Sequence, residues 1–130
     1  MDYLSGKSKK PTSTAKKTNR TIIKTNSKLE KFIDTAINMY TPDQRAWLYH
    51  KFISSEILEV LKDDELYVCI DAFFRNDLNL AETSRNAFLY RNTLLYRIDK
   101  IQKLTGLNIR KFDDAMLFLL YCKIYNKMNY

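Results

Sequence analysis

The polar side chains best suited to bind another molecule lie together between residues 91 and 105. They are hydrogen-bond donors and cations on one side of a predicted helix: Asn92, Thr93, Tyr96, Arg97, Lys100 and Lys103. Leu94, Ile98 and Ile101 share the opposite, apolar side at 100° per residue. Such a helix suits the major groove of DNA, where cations meet phosphates and forked Arg and Asn side chains meet base edges.

A shorter helical pattern lies directly before this helix and meets it at Phe88-Leu89-Tyr90. Asn79 is a good N-cap, and Glu82 follows three residues later, where its carboxylate can reach back to the N–H of the cap. Gly106 supplies the left-handed residue that ends the longer helix. The two patterns predict a helix-turn-helix with residues 91–105 as the recognition helix, although any helical hairpin has the same outline.

The charge of the chain is distributed unevenly. Residues 1–26 contain seven Lys and Arg against Asp2, a net charge of +6, and residues 91–111 contain six against Asp99, a net charge of +5. The remaining residues carry −4, within a total of +7. Positive charge concentrated on a tail and on one helix is typical of a protein that binds an anionic partner such as nucleic acid. A charge that only keeps the protein in solution would be spread more evenly over the surface.

The residue types needed for catalysis, metal binding or cofactor binding do not come together in this sequence. His50 is the only histidine, and Cys69 and Cys122 are far apart among apolar neighbours, as buried reduced thiols are. No glycine-rich phosphate loop is present, and no small-molecule site is evident. We therefore expect a protein that is not an enzyme and that needs neither a metal nor a cofactor.

Two strings of residues in this region carry a family resemblance. They are Asn79, Leu80, Glu82, Thr83 and Arg85, followed by RNTLLYRI at 91–98, and they continue through LTGL at 104–107 to the acidic pair Asp113-Asp114. From about Phe52 to Tyr125 the chain resembles the C-terminal helix-turn-helix domain of the PucR/CdaR family of bacterial transcriptional regulators. The resemblance implies a bacterial, sequence-specific DNA-binding protein.

The resemblance and the helix pattern together assign roles to eight residues. Arg91, Asn92, Thr93 and Arg97 are expected to read bases or the adjacent phosphates. Tyr96 and Lys100 are expected to support them, and Thr83 and Arg85 on the preceding helix to anchor the DNA backbone.

The whole chain is expected to be all-α, with five to six helices. The composition of residues 1–26 predicts a disordered basic tail. Residues 27–130 are expected to form a helical DNA-binding domain, with leading helices at 27–62 and the PucR-like region at 63–130. The helices are predicted at Lys28 to Tyr40, Pro42 to about Leu61, one capped by Asp63 or Asp64, the helix-turn-helix pair, and one from about Phe112. The apolar residues of the second, including Trp47 and Phe52, are expected to be core.

The last helix suggests a homodimer, because Met116 to Cys122 are apolar all round the helix and need a cover. The leading helices could provide that cover within a monomer. No apolar run is long enough to cross a bilayer, so a cytoplasmic location is expected. Two alternative functions stay open: RNA binding, and a protein-interaction module that contacts the transcription machinery.

Overall fold

The structure, a computed structural model, describes residues 27–128 and is all-helical over that range, which confirms the predicted fold class. The described residues form seven helices: α1 (Lys28–Asn38), α2 (Pro42–Phe52), α3 (Ser55–Lys62), α4 (Asp64–Arg75), α5 (Leu80–Asn86), α6 (Arg91–Thr105) and α7 (Phe112–Met128). The predicted disordered tail, residues 1–26, lies outside the described residues. None of the helices between 27 and 128 is long and apolar enough to span a bilayer.

The helix count exceeds the expected five to six partly because the predicted second helix is two helices. Ile53 and Ser54 have extended backbone between α2 and α3, with ψ angles of 99° and 168°. The Ser54 hydroxyl accepts a hydrogen bond from the Ile57 N–H at 3.2 Å and so caps α3. The apolar spacing continues across this break, which concealed it. The break lets α2 pack on α7 while α3 packs on α4 and α6.

The break also corrects the prediction that the apolar residues of the second helix are core. Ile57 and Leu61, which lie in α3, are buried as expected. Trp47 is 61% exposed and Phe52 is exposed too, and the two rings contact each other edge to face on the surface. None of the residues of α2 is buried.

Helix ends follow the predicted capping residues closely. The Thr41 hydroxyl accepts from the Gln44 N–H at 3.1 Å, while the Gln44 side chain accepts from the Thr41 N–H at 2.9 Å. This reciprocal pair is the capping box expected at the start of α2. Asp63 caps α4 by accepting from the Leu66 N–H at 3.1 Å. These local bonds stabilise the starts of α2 and α4 with residues that are close in sequence.

Most of the apolar surface of α7 is covered within the described chain. α1 and α2 both pack on α7, and Phe118, Leu119 and Cys122 are buried. Tyr67 of α4 also donates a hydrogen bond to the side-chain oxygen of Asn126 at 3.0 Å. α1 and α2 therefore provide most of the cover that the intramolecular alternative requires, while Leu117 stays 36% exposed.

A buried ion pair joins α1 to α7. The Lys123 ammonium lies 3.2 Å from the Glu30 carboxylate, and the two side chains are only 6% and 4% exposed. Asp34 places a second carboxylate oxygen 3.2 Å from the same ammonium, at a more exposed position. Nothing in the local sequence pattern predicts this contact, because Glu30 and Lys123 are 93 residues apart.

Replacing Lys123 by Met is expected to destabilise the fold by about 3 kcal/mol, because it removes the cation from a buried carboxylate. Chemical denaturation followed by circular dichroism measures this change. The double replacement Glu30→Met with Lys123→Met should recover most of the loss, since no buried charge then remains. Equal losses in the single and double variants would show that packing, and not charge, holds α1 on α7.

A second prediction concerns Gly106, which ends α6 with φ +80° as expected. A Cβ atom at this position would meet no other atom within 4 Å, so the backbone angle alone disfavours a side chain. Gly106→Ala should therefore cost about 1 kcal/mol in the free energy of unfolding. Gly106→Asn should cost less, because Asn tolerates the left-handed conformation better. An Ala variant as stable as the parent would contradict this reading of the helix end.

Candidate nucleic-acid interface

α5 and α6 form a helical pair joined by the four residues 87–90, and each packs on α4. Asn79 caps α5 as predicted, since its side-chain oxygen accepts from the Glu82 N–H at 2.9 Å. The expected return bond from Glu82 is not formed. The Asn79 N–H instead donates to the Asn76 carbonyl at 3.0 Å, and the Glu82 carboxylate pairs with Arg85 at 2.8 Å.

The inner face of α6 is the part of the site that the sequence predicted best. Leu94, Ile98 and Ile101 are buried against α3, α4 and α5. Their burial turns the opposite side of the helix to solvent, and the exposed side chains there are Asn92, Tyr96, Asp99, Lys100 and Lys103. The described chain thus presents one rigid, polar and basic helix face.

Arg97 does not lie on that outward face, where the sequence pattern placed it. Its side chain is only 20% exposed and its guanidinium is 3.9 Å from the Glu65 carboxylate of α4. Burial raises the pKa of the Cys69 thiol of α4 to about 11, and the positive charge of the neighbouring Arg97 acts against that rise. The reason is positional: Arg97 follows Leu94 by three residues and precedes Ile101 by four, so it lies at the edge of the apolar stripe.

The remaining predicted residues of α6 differ in exposure. Arg91 is exposed in the first turn, whereas Thr93 is half-buried. Lys103 pairs with Asp99 at 3.0 Å on the surface. Exposed pairs of this kind are weak, so a phosphate can compete for the lysine.

The two predicted backbone anchors on α5 behave differently. Arg85 is exposed, and its guanidinium is held by Glu82. Thr83 is fully buried, and its hydroxyl donates to the Asn79 carbonyl at 2.7 Å. A buried hydroxyl with its donor already used has nothing to offer a phosphate, so we assign Thr83 to the packing of α5.

The start of α6 is unusual for a helix N-terminus. Tyr90 occupies the N-cap position but makes no side-chain cap hydrogen bond, and the first turn contains no acidic residue. The N–H groups and the positive end of the helix dipole therefore face outward beside Arg91. Such a helix start is suited to an anion, and a DNA phosphate is one.

Sequence reasoning missed the two most exposed aromatic residues of this region. Phe88 is 93% exposed and Tyr90 85% exposed, and both lie in the turn before α6. Phe88 also has φ +56°. Glycine is common in the turn of a helix-turn-helix, so a phenylalanine in this turn is the sequence feature that could have revealed the exposed ring.

An apolar cleft of about 490 Å³ lies elsewhere, between α1, the end of α4 and the start of α7. Leu29, Leu78 and Met116 are among its lining residues, and none of the eight predicted site residues is. The helix face and the cleft are therefore separate features of the described chain.

Comparison with known proteins identifies the helix-turn-helix. Residues 66–124 match the sequence profile of the PucR C-terminal helix-turn-helix domain. The chain is 46% identical over 46 residues to the carbohydrate diacid regulator of Escherichia coli (strain K12), a match covering 35% of this chain and 12% of that protein. It is also 29% identical over 93 residues to the Bacillus subtilis (strain 168) protein YsfB, covering 72% of this chain and 24% of the relative.

A second Bacillus subtilis protein, YxkF, is 36% identical over 70 residues, which are 52% of this chain and 24% of YxkF. The chain thus spans a quarter or less of the length of these relatives. No solved structure matches it significantly. The family match over residues 66–124 includes the whole of α5 and α6.

Proposed function

We propose, from the premise that residues 66–124 form a PucR-type helix-turn-helix domain, that this chain binds duplex DNA sequence-specifically and regulates transcription in a bacterial cytoplasm. One observation carries the proposal. Burial of Leu94, Ile98 and Ile101 turns a basic, donor-rich face of α6 outward as a unit. A rigid helix with one such exposed face fits the width of the major groove.

The proposed contacts follow from the placement of each side chain. Recognition helices read bases mainly with their N-terminal residues, so Arg91, Asn92 and Thr93 are assigned to base edges or the phosphates beside them. Tyr96 and Lys100, farther along the exposed face, are assigned to supporting contacts with the backbone. Arg85 on α5 is assigned to a phosphate, for which it would exchange its surface pair with Glu82.

Arg97 keeps a conditional role in this proposal. Its guanidinium can turn from the edge of α6 toward DNA only by leaving the Glu65 carboxylate. Because Glu65 of α4 is exposed, losing this ion pair costs little free energy. The binding of DNA would then release a weak internal contact and replace it with a phosphate or a base.

RNA binding and protein binding fit the described face less well. An A-form RNA helix has a deep, narrow major groove that a helix face such as that of α6 cannot enter. Protein interfaces are poor in lysine, whereas the 91–111 segment carries a net charge of +5. Competition between duplex DNA and structured RNA for the full chain tests this order. Duplex DNA is expected to win, and equal competition would favour the RNA alternative.

Replacing Asn92 by Ala separates base reading from charge attraction. We expect a loss of about 1–3 kcal/mol on the preferred duplex and little change on random DNA, because a base-edge contact carries the sequence information. Asn38→Ala, an exposed asparagine on α1, is the matched control and should change neither affinity. Deleting residues 1–26 should instead weaken all duplexes alike and reduce the salt dependence. Equal loss on both duplexes from Asn92→Ala would remove its base-reading role.

Glu65→Gln tests the role of Arg97. The change removes a negative charge beside the guanidinium, so we expect DNA binding to strengthen by up to about five-fold. The gain should vanish when Arg97 is also replaced by Ala, which a double-mutant cycle measures. If Glu65→Gln still strengthens DNA binding when Arg97 is absent, Glu65 acts through the overall electrostatic field of the protein. Arg97 would then lose its assignment.

We also propose that the chain forms a homodimer. Two-fold pairing would double a short DNA site, with half-sites about one helical turn apart. Since most of α7 is covered, the pairing surface would be the exposed apolar residues of α1 and α2, Phe32 and Trp47 among them. Sedimentation at micromolar concentration should give twice the 15.5 kDa mass of one chain. Trp47→Asp should halve that mass and weaken binding to palindromic sites. A single-chain mass for the parent protein would rule the dimer out.

A further inference from the structure

Phe88 combines two features that oppose folding. Its φ of +56° lies in the left-handed region, which disfavours every residue with a bulky side chain. Its ring is 93% exposed, so the fold gains almost nothing from burying it. A glycine at this position would satisfy the same backbone angle with no strain. Neither feature has an explanation within the described chain.

The position of Phe88 is imposed by hydrogen bonds on both sides of it. The Ala87 N–H donates to the Thr83 carbonyl at 2.9 Å, and the Leu89 N–H donates to the Ser84 carbonyl at 3.1 Å. The Ser84 hydroxyl donates in turn to the Leu89 carbonyl. The residue between these bonds must project away from the protein. The ring is thus presented on a rigid turn, not on a loose loop.

The projection of Phe88 places it beside the part of α6 assigned to base edges. It stands two residues before the Tyr90 cap and three before Arg91. In the proposed DNA complex this end of the recognition helix enters the major groove. We propose that Phe88 reads the C5-methyl group of a thymine there, an inference that rests on the proposed function.

The choice of a thymine methyl follows from the chemistry of the ring. A phenyl group has no donor or acceptor, so it gains nothing from a phosphate or from the polar edges of the other bases. The methyl group of thymine is the apolar feature of the major groove, and phenylalanine is one of the side chains that suit it. Tyr90, also exposed, has a hydroxyl that can reach the backbone beside the same step. Phe88 would therefore add an apolar contact to the polar contacts of Arg91 and Asn92.

Thymine-to-uracil replacement tests the contact, because uracil lacks only this methyl group. The full chain first selects a preferred duplex from random DNA, and each thymine in it is then replaced singly by uracil. We expect one thymine in a half-site at which uracil weakens parental binding by about four-fold, the effect of one buried methyl. Phe88→Ala should bind the thymine duplex about four-fold more weakly. It should bind the thymine and uracil duplexes equally at that position.

A second variant keeps the test independent of folding defects. Phe88→Gly should lose the same thymine preference while raising Tm by about 4 °C, since it relieves the backbone angle. A lower Tm would show that the ring stabilises the fold, and would overturn the inference. Phe112→Ala, which removes an exposed ring from the start of α7, is the matched control and should keep the parental thymine-to-uracil ratio.

The outcomes separate this inference from the proposed function. A parent protein that selects no duplex would overturn both. A parent protein that selects a duplex, with a thymine preference that survives Phe88→Ala or with no thymine preference at all, would overturn only the role of Phe88. Equal weakening of the thymine and uracil duplexes by Phe88→Ala would assign the ring to the deoxyribose, and the methyl contact would be wrong.

Discussion

The burial of three residues on α6 is the constraint on which the site depends. Leu94, Ile98 and Ile101 have no apolar environment except the one that α3, α4 and α5 build around them. Because the helical repeat couples the two sides of α6, fixing this inner face fixes the outer one. The exposed residues Asn92 and Lys100 owe their common direction to that coupling, and any other rotation of α6 would expose the stripe and bury charge.

The sequence predicted those parts of the structure that are encoded locally. The stripe of α6, the Thr41 capping box and the αL end at Gly106 each depend on residues within one or two turns, and the structure confirms all three. The break at Ser54 was missed because apolar spacing continues through it. The Glu30–Lys123 pair could not be predicted, because it depends on how α1 meets α7. The edge position of Arg97 depends in the same way on Glu65 of another helix.

Two residues directly before α6 depart from local rules. Phe88 adopts an angle suited to glycine, and Tyr90 stands at a cap position that Ser, Thr, Asp or Asn fills better. Elsewhere the helix ends carry favourable caps, as at Ser27, Thr41 and Asp63. Asp77 and Leu78, between α4 and α5, also have positive φ angles, but at Phe88 and Tyr90 the departure coincides with an almost fully exposed aromatic ring. Departures from local preference on exposed side chains are expected where a protein binds its partner. The start of α6 is therefore where sequence, strain, exposure and charge indicate the same surface.

α6 is proposed to read duplex DNA through the major groove, and methylation of guanine N7, which faces that groove, tests this contact. A selected duplex is modified sparsely, and the bound and unbound fractions are compared. Modified guanines within each half-site should be depleted from the bound fraction, and Arg91→Ala should abolish the depletion at specific positions, because Arg pairs with guanine O6 and N7. Binding that is indifferent to N7 methylation throughout the site would show that α6 does not read the major groove.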